Sequence, residues 1–431
     1  MQRVVIIGGG FAGLEAARRL SGEQVDVTVI DRRNHHLFQP LLYQVATAGL
    51  EPSQVSTPIR TVLAGKPNVR VVMAEAEGVD AKAKQVRTSS GVYEYDWLVL
   101  AAGARSDYFG NESWRDLAPG LKSIEDAIDI RRRFLTSYEL AEQEEDDAER
   151  RRLMTFVVIG AGATGIELAG ALAEIASKCL PPDFSRADTS NTRIVLIEGG
   201  PRVLSAFHER LSARCRKDLE RMGVEVRVDT FAREISEESV ELEHEGERET
   251  IECGLVLWGA GVEAEPIAKT VGVSHAKDGR VVAGPDLSVP GYPEVFVVGD
   301  IAKMDDGQGK GTETPGVAQG GIQSGKHAAS IIAHEVRHGV REPSERPAFR
   351  YFDKGNMATI GRRRAIAEIG PFKFGGVFAW VLWGVVHVLF LIGFRNKLFT
   401  MLEWMWAYVT FGRGARIITG PPAPRPEPRH A

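Results

Sequence analysis

Two short apolar runs, Val4-Val5-Ile6-Ile7 and Phe156-Val157-Val158-Ile159, each lead into a glycine-rich turn and then an Ala/Leu/Glu-rich stretch. Continuous apolar runs of this length predict buried strands, and the stretches behind them have helical character. The order strand, turn, helix thus occurs twice. Further strands are predicted at Val25–Ile30, Val69–Ala76, Tyr95–Ala101, Arg193–Ile197, Val224–Val228, Ile251–Trp258 and Val295–Val298. A small-residue helix is predicted from near Pro315. Strands alternating with helices predict an α/β fold with parallel sheets. Between the two halves, residues 123–152 form a highly charged helical stretch, read as a connector with a solvated face.

The turns read Gly8-Gly9-Gly10-Phe11-Ala12-Gly13 and Gly160-Ala161-Gly162-Ala163-Thr164-Gly165. Glycines at this spacing let a backbone turn sharply and approach a pyrophosphate, which the following helix N-terminus faces. One such match is a modest signal. Two in order imply two dinucleotides side by side, a flavin and a nicotinamide. About 20 residues past each opening stands an acid at a strand end, Asp31 and Glu198, placed to accept from ribose hydroxyls. Glu198 is followed by Gly199-Gly200, which favours NADH over NADPH, with Arg202 tempering the preference. Small residues Ala102-Gly103 end a third strand and would let the chain pass close to a cofactor. Asp300, after Val295–Val298, stands where a flavin domain bonds the ribityl chain.

The second unit therefore reads as inserted into the first. The expected boundaries are 1–112 with 285–344 for FAD, and 113–284 for NADH with its connector at 113–152. A C-terminal membrane-anchoring module follows at 345–420, then a disordered Pro/Arg-rich tail at 421–431. That module differs in character. Phe374–Phe394 is a nearly unbroken apolar run, and four of the seven tryptophans (Trp380, Trp383, Trp404, Trp406) lie in this region. The run is long enough to span a bilayer. Its glycines, its interior tryptophans and the mixed stretch Lys397–Phe411 favour amphipathic helices lying in the membrane surface instead. Membrane contact points to a lipid-soluble electron acceptor, a quinone.

Composition narrows the picture. The chain has 431 residues, 43% hydrophobic and 26% charged, with net charge −5, which gives no hint of nucleic-acid binding. Cys179, Cys215 and Cys253 are few and far apart, so neither a disulfide framework nor a thiol relay is expected. The first strand is predicted to begin near Val4, so no signal peptide is expected. No Asp-x-Asp-x-Asp-Gly loop occurs, so calcium regulation is not expected.

These residues resemble the type II NADH dehydrogenases, the single-chain, non-pumping NADH:quinone oxidoreductases. The resemblance rests on both glycine turns, on His36-Leu-Phe-Gln-Pro-Leu-Leu-Tyr-Gln-Val-Ala-Thr-Ala48, on Trp258-Gly-Ala-Gly261 and on Val298-Gly-Asp300. It rests further on Thr314–Gln323, on Asp353–Gly361 and on the aromatic tail. It implies a glutathione-reductase-like pair of Rossmann-like domains plus a C-terminal amphipathic helical membrane-binding module. It implies FAD held by Gly8, Gly10, Phe11, Ala12, Gly13, Asp31, Ala76, Ala102, Gly103, Asp300, Ala318, Gln319 and, loosely, Lys373. NADH would be held by Gly160, Gly162, Gly165, Glu198 and Gly261. Glu167 is implicated in positioning substrate or moving protons. Gln319 and Gln323, four residues apart on one helix face, would line the quinone route.

The expected activity is two-electron transfer from NADH through FAD to a membrane quinone such as ubiquinone, in a respiratory chain. The expected setting is the cytoplasmic face of the plasma membrane, as a peripheral homodimer. A sulfide:quinone oxidoreductase-like enzyme is the nearest rival, opposed by the lack of any cysteine after Cys253. A membrane-bound flavoprotein redox sensor or scaffold that binds NADH is the other.

Overall fold

Val4–Ile7 and Phe156–Ile159 are buried throughout, as strands covered on both faces require. A computed structural model describes residues 1–304 and 316–420. The expected disordered tail, and Thr314-Pro315 of the quoted motif, lie outside the described residues. Along the chain run β1 (Gln2–Ile7), α1 (Phe11–Leu20), β2 (Val25–Asp31), the short α2 (Leu42–Ala46), β3 (Val69–Met73) and β4 (Trp97–Leu100). Next come α3 (Ile124–Gln143), β5 (Thr155–Ile159), α4 (Ala163–Glu174), β6 (Arg193–Ile197), β7 (Val224–Arg227) and β8 (Leu255–Trp258). Then follow β9 (Tyr292–Val297), α5 (Ala318–His338), β10 (Asn356–Gly361), β11 (Arg364–Ile369), β12 (Phe372–Gly375), α6 (Val377–Phe390) and α7 (Phe394–Thr410).

The chain divides into two compact units. The first comprises residues 1–37, 56–105 and 262–354. Its six-stranded sheet has the order Ser288–Val289, β9, β4, β1, β2, β3. The second comprises 38–55, 106–261 and 355–431, with a sheet ordered β7, β6, β5, β8. Both sheets therefore repeat the parallel order third, second, first, fourth around the strand that carries the glycine turn. This is the doubly wound dinucleotide-binding arrangement, with the second unit inserted in the first.

Contacts draw the lines differently from sequence in four places. The first stretch ends at Arg105, not near 112, and the C-terminal residues from Gly355 group with the second unit and not as a separate module from 345. The chain rejoins the first unit at Val262, not near 285, because Ala264, Ile267, Ala268 and Val271 are buried in one core with Val5, Leu98 and Leu100. Residues 38–55 group with the second unit, where α2 packs on α3 and α4. The charged stretch is also two helices: α3 carries a Ser123/Asp126 capping box, and Asp147–Leu153 follows as a separate helix.

The long apolar run of the tail is broken by geometry. Gly376 (φ +94°) and Gly393 (φ +89°) adopt conformations that glycine alone takes readily. The run becomes the end of the β10–β11–β12 antiparallel sheet, then α6, then α7. At about 1.5 Å per residue α6 spans roughly 21 Å, short of the ~30 Å hydrocarbon core. Among the described residues no helix is long and apolar enough to cross a membrane. Phe378, Phe394 and Val409 are 78%, 80% and 74% exposed, while Ala379, Trp383 and Thr400 are buried.

Candidate functional site

The two glycine turns have one geometry. Gly8 and Gly160 sit at φ +104° and +95°. A Cβ on Gly8 would lie 2.3 Å from the Ala101 carbonyl oxygen, and one on Gly160 would lie 2.6 Å from the Ala260 nitrogen. Both positions therefore need glycine twice over, for conformation and for the neighbouring strand end. Gly13 and Gly165 are required by the turn itself, since a Cβ there would fall 1.8 Å from the Gly8 and Gly160 carbonyl oxygens respectively.

Gly10 and Gly162 differ in kind. Both are extended N-cap residues, at φ −74° and −70°, and nothing lies within 4 Å of a Cβ built on either. No protein group explains why they lack side chains. Neither α1 nor α4 has a side-chain cap or an acid in its first turn to offset the positive end of its dipole. An anionic phosphate fits these two cradles.

The strand-end acids brace the turns from beneath. Asp31 Oδ2 accepts the Gly9 N–H at 2.6 Å and Oδ1 accepts that of Arg33 at 2.7 Å. Glu198 does the same: Oε2 takes the Ala161 N–H at 2.8 Å and Oε1 that of Gly200 at 2.9 Å. A carboxylate oxygen has further lone pairs, so each acid can hold its turn and still receive a ribose hydroxyl. In the first turn His36, 2% exposed, donates from Nδ1 to the Gly9 carbonyl at 3.1 Å and meets Phe11 edge to face. Burial lowers this imidazole to about 4, so it stays neutral. Asp31 and His36 thus grip both ends of one residue. Sequence placed His36 in a motif without a role.

Arg202 does not wait for a 2′-phosphate. Its guanidinium donates to the Phe207 and Ser205 carbonyls, both at 2.7 Å. Arg202→Ala is expected to cost roughly 1–2 kcal/mol of stability and to leave the ratio of kcat/KM for NADH and NADPH within about twofold of the parent. A selective fall with NADPH, measured by steady-state rates, would instead place Arg202 at the ribose.

The remaining first-unit candidates gather around α1 and α5. A Cβ on Gly325 would lie 2.2 Å from the Ala12 oxygen, so these helices meet backbone to backbone. Gly299 donates its N–H to Ser324 Oγ at 3.0 Å, fixing the one-turn helix that holds Asp300 against α5. Ala318 opens α5, Ala102 and Gly103 (φ +78°) follow β4, and Ala76 begins an antiparallel strand on the core edge. The glutamine pair is split. Gln323 is closed on the Phe352 backbone, donating to its oxygen at 3.0 Å and accepting its N–H at 2.9 Å. The Gln319 side-chain oxygen is buried with no partner among the described residues.

In the second unit, Gly261 (φ +66°) has its own explanation, because a Cβ would strike the Phe109 ring at 2.5 Å. Lys373 stands exposed on β12, 3.8 Å from Glu368. Glu167 is the chemically unusual residue. Gly170, one turn on, would place a Cβ 1.8 Å from the Ile360 oxygen, so α4 is pressed against β10. There the Glu167 carboxyl accepts the Thr359 N–H and is packed round by protein, although the residue keeps some exposure. Desolvation dominates and raises it to about 8. Tyr43 and Gln44 of α2, unassigned by sequence, belong to the same unit: Gln44 Nε2 donates to the Tyr43 hydroxyl at 2.8 Å. Their only sequence signal was membership of the 36–48 motif.

The three cysteines are buried and unpaired, and burial raises each thiol, that of Cys253 to about 12. None has thiolate character near neutral pH.

Comparison with known proteins agrees with this geometry. Residues 2–329 match the family described as pyridine nucleotide-disulphide oxidoreductase, and residues 354–414 match the NDH2 C-terminal domain. The chain is 40% identical over 427 residues to the type II NADH:quinone oxidoreductase NdhA of Mycobacterium tuberculosis, covering 97% of this chain and 89% of that one. It is 41% identical over 426 residues to Ndh of the same organism, covering 97% and 90%. NDH2 from Plasmodium falciparum, solved in complex with NADH, superposes with a TM-score of 0.87 at 18% identity, over 97% of this chain and 100% of that chain. The sulfide:quinone oxidoreductase of Aquifex aeolicus shares the fold at a TM-score of 0.73 and 19% identity, with 92% of each chain covered. Two nucleotide units of one geometry, the apolar-faced C-terminal helices and relatives of this identity lead to one assignment: the chain belongs to the type II NADH:quinone oxidoreductases.

Proposed function

We infer that this protein carries two electrons from NADH through FAD to a membrane quinone, without pumping protons. The observation that carries the reading is the pair of identical open cradles, Gly10 and Gly162, each over a bracing acid. When bound, FAD would supply the redox chemistry, taking up a hydride equivalent from NADH and passing two electrons to the quinone. The chain's residues bind and orient. Gly8, Gly10, Gly13 and Asp31, with Asp300 and Ala318, hold the flavin nucleotide; Gly160, Gly162, Gly165 and Glu198 hold NADH. Gln319 offers its side-chain amide, whose oxygen has no partner among the described residues, toward the flavin and quinone. Gln323 supports that helix from its contact with Phe352. Glu167, a carboxyl raised to about 8, is protonated at neutral pH and supplies a proton to the reduced quinone, regaining it from water. The thiol chemistry of the sulfide-oxidising rival has no residues to use here.

The apolar faces of α6 and α7 lie on the bilayer surface, at the cytoplasmic face where NADH is available. The extent of exposed apolar surface also favours a homodimer, readable by light scattering in detergent. Anaerobic stopped-flow tests the reaction: NADH should bleach the flavin near 450 nm, a property of the cofactor, and a short-chain quinone should restore it. Bleaching without recovery would remove the quinone from the assignment. The membrane reading has its own test. Phe378→Glu with Phe394→Glu is expected to weaken sedimentation with lipid vesicles by about 100-fold or more, since each buried phenylalanine contributes roughly 1.5–3 kcal/mol. Undiminished sedimentation would assign these faces to protein contact.

A further inference from the structure

An exposed phenylalanine stands beside the ribose acid of the second unit. Glu198 follows β6, and the chain turns on through Gly199 and Gly200. The parallel neighbour β7 ends at Arg227, and a tight corner follows in which Asp229 is left-handed at φ +50°. Two backbone bonds tie that corner to the acid's own turn. The Thr230 N–H donates to the Glu198 carbonyl and the Asp229 N–H to that of Gly200, both at 3.0 Å. The strand Thr230–Ile235 starts there, so Phe231 is delivered to the same end of the sheet as the Gly160–Gly165 turn.

The ring is braced. The Arg233 guanidinium lies over it, 5.3 Å from the centroid, and is itself fixed by Glu243 at 2.9 Å. At one edge stands Gly199, where a Cβ would lie 2.7 Å from Phe231 Cε1. Gly199 is not among the glycines with positive φ, so the ring, and not the backbone conformation, explains the missing side chain. Phe231 is nevertheless 49% exposed, and its exposed neighbours on the strand, Arg233 and Glu234, are charged. A single exposed phenylalanine is ordinary. One that is held by a cation, fitted by a glycine and set next to a ribose acid is a flat apolar platform at a nucleotide site. The ribose that reaches Glu198 carries adenine, a flat uncharged base that gains from stacking on an aromatic ring.

We propose that Phe231 is the adenine platform of the nicotinamide-nucleotide site: with the ribose on Glu198, the base stacks on the Phe231 ring beside Gly199. The proposal rests on the reading of the second unit as the NADH site. It adds what recognises the half of NADH that takes no part in the redox step, and every residue it uses lies in that unit. Binding energy gained there is remote from the reacting atoms and serves to hold and orient the dinucleotide.

The test uses the FAD-loaded, full-length protein, in which the first cradle is already filled. ADP-ribose, which carries the adenine half without the nicotinamide, is titrated by calorimetry. Phe231→Ala is expected to weaken its binding about tenfold, within the range for losing one base–aromatic stack. Phe231→Tyr keeps a flat ring and should stay within about threefold of the parent. Should Phe231→Ala lose cooperative melting, Phe231→Leu, apolar but not flat, decides in the same terms. Anaerobic flavin titration supplies a second arm. The half-reducing concentration should rise about tenfold for NADH but not for reduced nicotinamide mononucleotide, which lacks adenine. Unchanged ADP-ribose affinity in Phe231→Ala overturns the proposal. So does an equal loss with the mononucleotide, which would make Phe231 a support of the fold. A parent protein that binds no ADP-ribose overturns the reading of the second unit and takes the platform with it.

Discussion

Gly162→Leu is expected to leave the protein folded and FAD-loaded while raising the NADH concentration that half-reduces the flavin by about 100-fold or more, a loss of roughly 2.7 kcal/mol. The separation is possible because Gly162 is glycine for no internal reason. Its backbone is extended and a Cβ there meets no atom of the described residues within 4 Å. A leucine would instead occupy the space over the uncapped start of α4, where the pyrophosphate of a nucleotide must come closest. Gly10→Leu is the matched variant in the first unit and should emerge from purification depleted of FAD, with its thermal melting still cooperative. Gly160→Leu would be uninformative by contrast, since its Cβ collides with the Ala260 backbone and the fold itself would suffer. Anaerobic titration of flavin absorbance with NADH reads the first variant directly. An unaltered titration would mean that the nucleotide does not pass over Gly162.

Glu167→Gln is expected to slow quinone-driven reoxidation by about 100-fold, the lower range for losing a general acid, with NADH-driven flavin reduction retained. The sign of the pH dependence follows from the carboxyl's raised value of about 8. Below that pH the group holds a proton it can give; above it the group is a carboxylate and cannot. Reoxidation in the parent should therefore be fast at pH 6 to 7 and decline as pH rises through about 8. The glutamine variant should be slow and flat across the same range. Single-turnover stopped-flow against pH measures both. An alkaline limb that survives in Glu167→Gln would assign the proton to another group. His387 is a poor substitute, because burial lowers it to about 4 and its Nδ1 already donates to the Trp383 carbonyl at 2.7 Å.

The sequence by itself determined what is local. The glycine turns are legible because φ, Cβ clearance and helix start are all set within about six consecutive residues, and Asp31 and Glu198 are legible because a parallel strand of fixed length delivers an acid beside its own turn. The same locality explains the reading of the tail as surface-lying, since Gly376 and Gly393 interrupt the apolar run in the sequence itself. Tertiary structure alone decided everything that depends on partners far apart in the chain. Gln44 and Trp404 are 360 residues apart, and nothing in the composition of either segment announces the bond between them. Arg202 seemed free to meet a phosphate until the loop's carbonyls turned toward it. Gln319 and Gln323 looked equivalent by spacing, and only the position of Phe352 closes one and leaves the other open. Residues 38–55 changed unit for the same reason. Hydrophobic pattern says that a side chain is buried and helical spacing says on which face, but which distant surface covers that face is set by the packing of the whole chain, and with it the desolvation that raises the Glu167 carboxyl to about 8.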